Sequence, residues 1–145
     1  MTERDALSVR TEALMSGDLV RLVLIVELPE GVHIEPNQPA DPYLIPTVLD
    51  VEGLDGVTVE YPRPVVKALG WKDLGLTVFE GVLEFVVLGR VRDDTSVVRG
   101  TLRYQPCVGG ACFPPRTVPW ESPVDGTSAF SVLHGLAASR PVLVP

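Results

Sequence analysis

Fourteen prolines and thirteen glycines are spread along the whole of this chain and cut it into short pieces, most of them rich in Val, Leu, Ile, Thr and Phe. Proline lacks the N–H that a helix interior or a central strand needs, and glycine favours turns. Such punctuation therefore confines regular structure to short strands joined by tight connections. Strands are expected at Leu19 to Leu28, Thr47 to Val51, Val57 to Tyr61, Leu76 to Phe79, Val82 to Leu88, Val97 to Gln105 and near Thr117 to Trp120. Turns are expected at Pro29-Glu30-Gly31, Glu52-Gly53, Asp55-Gly56, Gly89-Arg90 and Asp93-Asp94. The spacing fits an all-β domain of two packed antiparallel sheets.

Alternation sharpens this reading. Leu22, Leu24 and Val26 share one face, and Arg21, Val23, Ile25 and Glu27 share a mixed face for which partial burial is expected. Leu102 and Tyr104 fall on opposite parity to Thr101, Arg103 and Gln105. The segment His33 to Pro46 holds four prolines within eleven residues, so it reads as an extended loop on the surface of the sandwich. Phe130, Leu133 and Ala137 recur at helical spacing, so Ser128 to Ser139 reads as a short helix or as the start of a linker. The expectation is one domain over residues 1–145, with its core at about 6–123 and a tail at 124–145.

A formal charge of −7 with no run of Lys or Arg argues against nucleic acid or an anionic membrane surface as a partner. The apolar runs are too short and too often broken by charge to span a bilayer as helices. Residues Met1 to Met15 include Glu3, Arg4, Asp5, Arg10 and Glu12 and so lack the apolar stretch of a secretory signal. A signal or anchor removed from this sequence is expected if the protein works outside the cytoplasm.

The chemistry points to Cys107 and Cys112, the only two cysteines, which flank Val108-Gly109-Gly110-Ala111. The glycines permit a tight turn that sets the cysteines side by side on adjacent strands. A disulfide there would close a ring of six residues, and loop entropy values so small a ring at only about 2 kcal/mol. That favours a reversible redox pair over a brace, with a structural hairpin disulfide as the alternative. No Lys, Arg or His lies close in sequence to lower a thiol pKa, and Pro106, Pro114 and Pro115 are expected to leave the loop projecting from the sheet rather than zipped into it. A zinc site would need two further ligands, and the histidines, His33 and His134, lie far apart in sequence. His33 reads as a loop hydrogen-bonding residue and His134 as a surface residue of the C-terminal helix. There is no nucleophile elbow, no His-Glu-x-x-His and no phosphate-binding glycine loop. Trp71, in a glycine-bounded stretch, reads as a cover for a reactive site or as filling at the sandwich edge.

Three segments together resemble the N-terminal periplasmic domain of the DsbD family of thiol:disulfide interchange proteins. They are Val32-His33-Ile34-Glu35-Pro36-Asn37-Gln38-Pro39 with Leu44-Ile45-Pro46-Thr47, then Phe79-Glu80-Gly81, and above all Tyr104-Gln105-Pro106-Cys107 with Cys112-Phe113-Pro114-Pro115 and Val118-Pro119. The resemblance runs from about Ala6 to Pro123. It implies an immunoglobulin-like β-sandwich, without cofactor, that acts as a protein-disulfide reductase module. Electrons would pass through Cys107 and Cys112 from a thioredoxin-like donor domain to extracytoplasmic acceptors, namely disulfide isomerases and thioredoxin-like cytochrome c maturation factors. It also implies a periplasmic location and a membrane domain in the full-length protein. By position, Cys112 would form the mixed disulfide with partners and Cys107 would resolve it. The chain departs from the family in having four residues between the cysteines, where family members often have five. It also has no clean match to the family's cap loop, a role that falls to Trp71 and Asp73 in the corresponding stretch. The competing reading is a non-catalytic immunoglobulin-like binding domain with a hairpin disulfide.

Overall fold

The computed structural model describes residues 7–69, 72–92 and 94–124, with the side chains of 68, 69 and 72–75 excepted. Among these residues the regular structure is all strand: β1 (Ser8–Ser16), β2 (Leu19–Glu27), β3 (Val32–Ile34), β4 (Val48–Glu52), β5 (Leu54–Glu60), β6 (Val65–Leu69), β7 (Lys72–Glu80), β8 (Val82–Val91), β9 (Val97–Tyr104), β10 (Cys107–Val108), β11 (Ala111–Cys112) and β12 (Arg116–Pro123). Ser128 to Ser139, including His134, and the dipeptide Gly70-Trp71 lie outside the described residues.

All pairings are antiparallel. One sheet runs β1-β2-β8-β5, a second β12-β9-β4, and a third β11-β10-β3-β7-β6. Inward residues of all three meet in a single apolar cluster: Leu22, Leu24, Phe85 and Val87 from the first, Leu49, Leu102, Tyr104 and Val118 from the second, Ile34 and Phe79 from the third. The architecture is an immunoglobulin-like β-sandwich, and the alternation in β2 and β9 aims the expected residues inward. The mixed face of β2 is more buried than expected, with Val23 at 7% and Ile25 at 9% exposure. Their ladder neighbours include Glu12, Arg10 and Glu84, whose aliphatic stems can cover apolar neighbours while their charges stay in water.

Two expected turns are strand instead. Gly89-Arg90 continues β8, held by the Val91 N–H donating to the Asp18 carbonyl at 2.8 Å and by the Arg90–Asp18 ion pair, also at 2.8 Å. Asp55-Gly56 is a register shift inside β5. The Pro-rich surface loop is present but begins at Glu35, because Val32, His33 and Ile34 form β3 between β10 and β7.

Gly100 is where β9 approaches its neighbours most closely. A Cβ at this position would lie 1.9 Å from the Asp50 carbonyl oxygen on β4 and 2.7 Å from the Trp120 ring on β12. Gly100→Ala must push apart strands on both sides, and overpacking of this kind costs about 1–3 kcal/mol. Urea unfolding should show a midpoint lowered accordingly; an unchanged midpoint would contradict the close approach.

Candidate redox-active disulfide

Cys107 and Cys112 are register partners across the β10–β11 hairpin. Outside them the Phe113 N–H donates to the Pro106 carbonyl at 2.9 Å; inside them Val108 and Ala111 pair at the turn, where Gly109 takes a φ of +59°. Hydrogen-bonded and non-hydrogen-bonded pairs alternate along an antiparallel ladder, so the cysteines occupy a non-hydrogen-bonded position, where side chains approach most closely. They are joined by a disulfide, with Cα atoms 4.0 Å apart.

The two halves of the disulfide differ in environment. Cys107 is fully buried, whereas Cys112 is exposed. The cause is topological: β11 is the edge of its sheet, while β10 is covered on its other side by β3, through the pairs Cys107–His33 and Val108–Val32. The hairpin is thus zipped into the sheet along one strand and free along the other, which corrects the expectation of a wholly projecting loop. Prolines deny a donor only at their own positions, and neither Cys107 nor Val108 is proline. The Cys107 Sγ lies 3.9 Å from the Gln105 carbonyl oxygen, which can accept the S–H once the disulfide is reduced.

Folding also brings beside the pair a titratable side chain that the neighbouring sequence lacks. His33, expected in a loop, sits in β3 at 4% exposure and pairs with Cys107 on one side and Glu80 on the other. Lys67 on β6 donates to the Glu80 Oε2 at 2.5 Å. Burial draws the His33 pKa below the ordinary imidazole value and Lys67 adds to this, while Glu80 pulls the other way. Glu35, two residues on, is 8% exposed, and burial pushes its carboxyl pKa up. No local signal marks His33 as a neighbour of Cys107; only the β3–β10 pairing makes it one. Asp73 lies on β7, and its side chain, like Trp71, is outside the described residues. Among the described residues there is no group of three or more His, Cys, Asp or Glu that could hold a metal ion.

No protein-family model matches this sequence, and no curated protein matches it. Solved structures do. The N-terminal periplasmic domain of ScsB from Proteus mirabilis aligns with a TM-score of 0.63 at 16% identity, over 94% of this chain and 56% of that one. The reduced DsbD N-terminal domain of Neisseria meningitidis aligns with a TM-score of 0.46 at 15% identity, over 82% of this chain and 86% of that one. A structure of the complex between the DsbD and PilB N-terminal domains of the same organism aligns at 0.45 and 14% identity, over 78% of this chain and 80% of that one. The structural neighbours are thus N-terminal domains of ScsB, described as periplasmic, and of DsbD, and what the ScsB likeness shows is the shared fold. The present chain spans a little over half of the ScsB chain.

Proposed function

We propose that this domain is a thiol–disulfide exchange module that relays electron pairs through Cys107 and Cys112, from a thioredoxin-like donor to extracytoplasmic acceptor proteins, as a protein-disulfide reductase. The observation that carries the reading is the asymmetry of the disulfide, with one sulfur on an exposed sheet edge and the other sealed beneath the adjoining strand. Exchange proceeds by in-line attack of a thiolate on one accessible sulfur, and a second thiol held out of solvent resolves the mixed disulfide without being intercepted. Cys112 has the first environment and Cys107 the second.

In the forward direction the Cys112 thiolate attacks an acceptor disulfide, forming a Cys112–acceptor disulfide and expelling one acceptor thiolate. The Cys107 thiol then loses its proton and attacks the Cys112 sulfur, re-forming the Cys107–Cys112 bond and expelling the second acceptor thiolate. Two electrons leave the domain and the acceptor disulfide is reduced. A thioredoxin-like donor reverses these steps. The single domain, its periplasmic location, a membrane domain elsewhere in the full-length protein, a part in cytochrome c maturation and a cap role for Trp71 and Asp73 belong to the same proposal. They rest on the motif resemblance.

Treatment with reduced thioredoxin followed by alkylation tests the reading. Cys112 should label rapidly and Cys107 slowly, with the far-ultraviolet circular dichroism unchanged, and titration against a thiol buffer should give a reduction potential above about −300 mV. No labelling and a potential well below that value would identify a structural disulfide in a non-catalytic binding domain instead.

A further inference from the structure

The row of residues that holds Cys107 contains a titratable side chain that the exchange chemistry above leaves unused. Cys112, Cys107, His33 and Glu80 are successive register partners across β11, β10, β3 and β7. Directly opposed residues of an antiparallel pair project to one face with Cβ atoms about 4.5–5.5 Å apart. His33 is thus the nearest cross-strand neighbour of Cys107 on the side away from Cys112.

Packing alone does not call for an imidazole here. Ile34 belongs to the main apolar cluster, whereas His33 and Cys107 are buried outside it. An apolar residue would fill the same volume without the cost of desolvating a polar ring. The groups around His33 also suit a proton transfer. From β10 it faces Cys107, from β7 Glu80, from β6 Lys67, and along its own segment Glu35 follows. Burial and Lys67 keep the resting imidazole neutral at neutral pH, with a lone pair available, and the Glu80 carboxylate favours the imidazolium once a proton arrives.

We infer that His33 accepts the proton of the Cys107 thiol as that thiol attacks the Cys112 mixed disulfide. The inference rests on the relay reading. The thiolate is the attacking species, and a thiol shut away from water has no solvent base at hand. In the step, the Cys107 S–H bond breaks and its proton passes to the imidazole. The sulfur electron pair forms the Cys107–Cys112 bond, the bond from Cys112 to the acceptor breaks, and the acceptor leaves as thiolate. The imidazolium then returns its proton to solvent or to that leaving thiolate. When a donor thiolate attacks Cys112 to reduce the domain, Cys107 leaves as thiolate and takes up, through the same imidazole, a proton supplied by the donor thiol or by solvent.

The test is stopped-flow reaction of the reduced, full 145-residue chain with one equivalent of dithiobis(nitrobenzoate), whose two coloured thiolates report the two steps separately. The first is released when Cys112 attacks, the second when Cys107 resolves. His33→Gln should leave the first phase within about two-fold and slow the second about ten-fold or more near neutral pH. The second phase of the unaltered protein should also rise with pH through an inflection below about 6.5, which His33→Gln removes. Lys67→Met, which removes a charge holding the His33 pKa down, should move that inflection upward. An unchanged second phase and pH profile in His33→Gln overturns the inference. If that variant fails to fold, an inflection that Lys67→Met does not move overturns it. Absence of any second phase from the unaltered protein overturns the relay reading itself, a result distinct from a second phase that ignores His33.

Discussion

Cys107→Ser should turn the domain into a covalent trap. Mixed with an oxidised thioredoxin-like acceptor, it should accumulate as a one-to-one adduct through Cys112, visible on a non-reducing gel and dispersed by dithiothreitol. The exposed Cys112 thiol can still attack, but the adduct has lost the thiol that would resolve it. Cys112→Ser should give the opposite result. Its remaining thiol lies at 0% exposure on β10, which β3 covers on one side, so attack requires β10 to open locally. An opening cost of about 3 kcal/mol leaves roughly one molecule in a hundred reactive, and the rate of adduct formation should fall by about that factor. Equal capture by the two variants would contradict the assignment of Cys112 as the partner-facing sulfur. Efficient capture by Cys112→Ser alone would invert it.

The sequence reveals the parts of this architecture whose signal is local. β2 and β8 are read as strands because runs of aliphatic and aromatic residues with period-two alternation bury one face, although β8 continues through the turn expected at Gly89-Arg90, and β9 is read from the alternation that buries Leu102 and Tyr104. β1 escapes notice. Its inward residues include Thr11 and Ala13, its outward ones Arg10 and Glu12, and it becomes a strand through nine consecutive register pairs with β2 rather than through its own propensity. β3 has three residues between Gly31 and the proline-rich loop, and β6 follows Pro62 and Pro64; both are defined by the strands beside them. Gly89 reads as a turn but lies beside Leu54, where a Cβ would come within 3.0 Å of the Leu54 Cβ, so it serves close packing instead. The candidate site divides in the same way. The cysteines and the glycines between them form a local hairpin signal, fully legible. The His33, Glu80 and Lys67 group is assembled by long-range pairing among β10, β3, β7 and β6, which no window of sequence contains.

Phe85→Ala should cost this fold more than breaking its disulfide does. Phe85 is fully buried in β8 and meets Tyr61 edge-on at 5.7 Å and Phe79 at 6.3 Å. Truncation of a buried phenylalanine to alanine costs about 3–5 kcal/mol through lost burial and the cavity left behind. Reduction of a disulfide closing a six-residue ring removes at most about 2 kcal/mol. Phe79 is the register partner of Ile34, so the same aromatic group supports the strand that carries His33 against Cys107. Urea unfolding of four samples, unaltered and Phe85→Ala, each oxidised and reduced, separates the two contributions. The expected order places the oxidised protein highest, the reduced protein slightly below it and both Phe85→Ala samples far lower. A domain that must cycle between dithiol and disulfide needs a core able to hold it folded in either state. If reduction instead costs more than Phe85→Ala, the bond is a brace on which the fold depends, and the relay function fails with it.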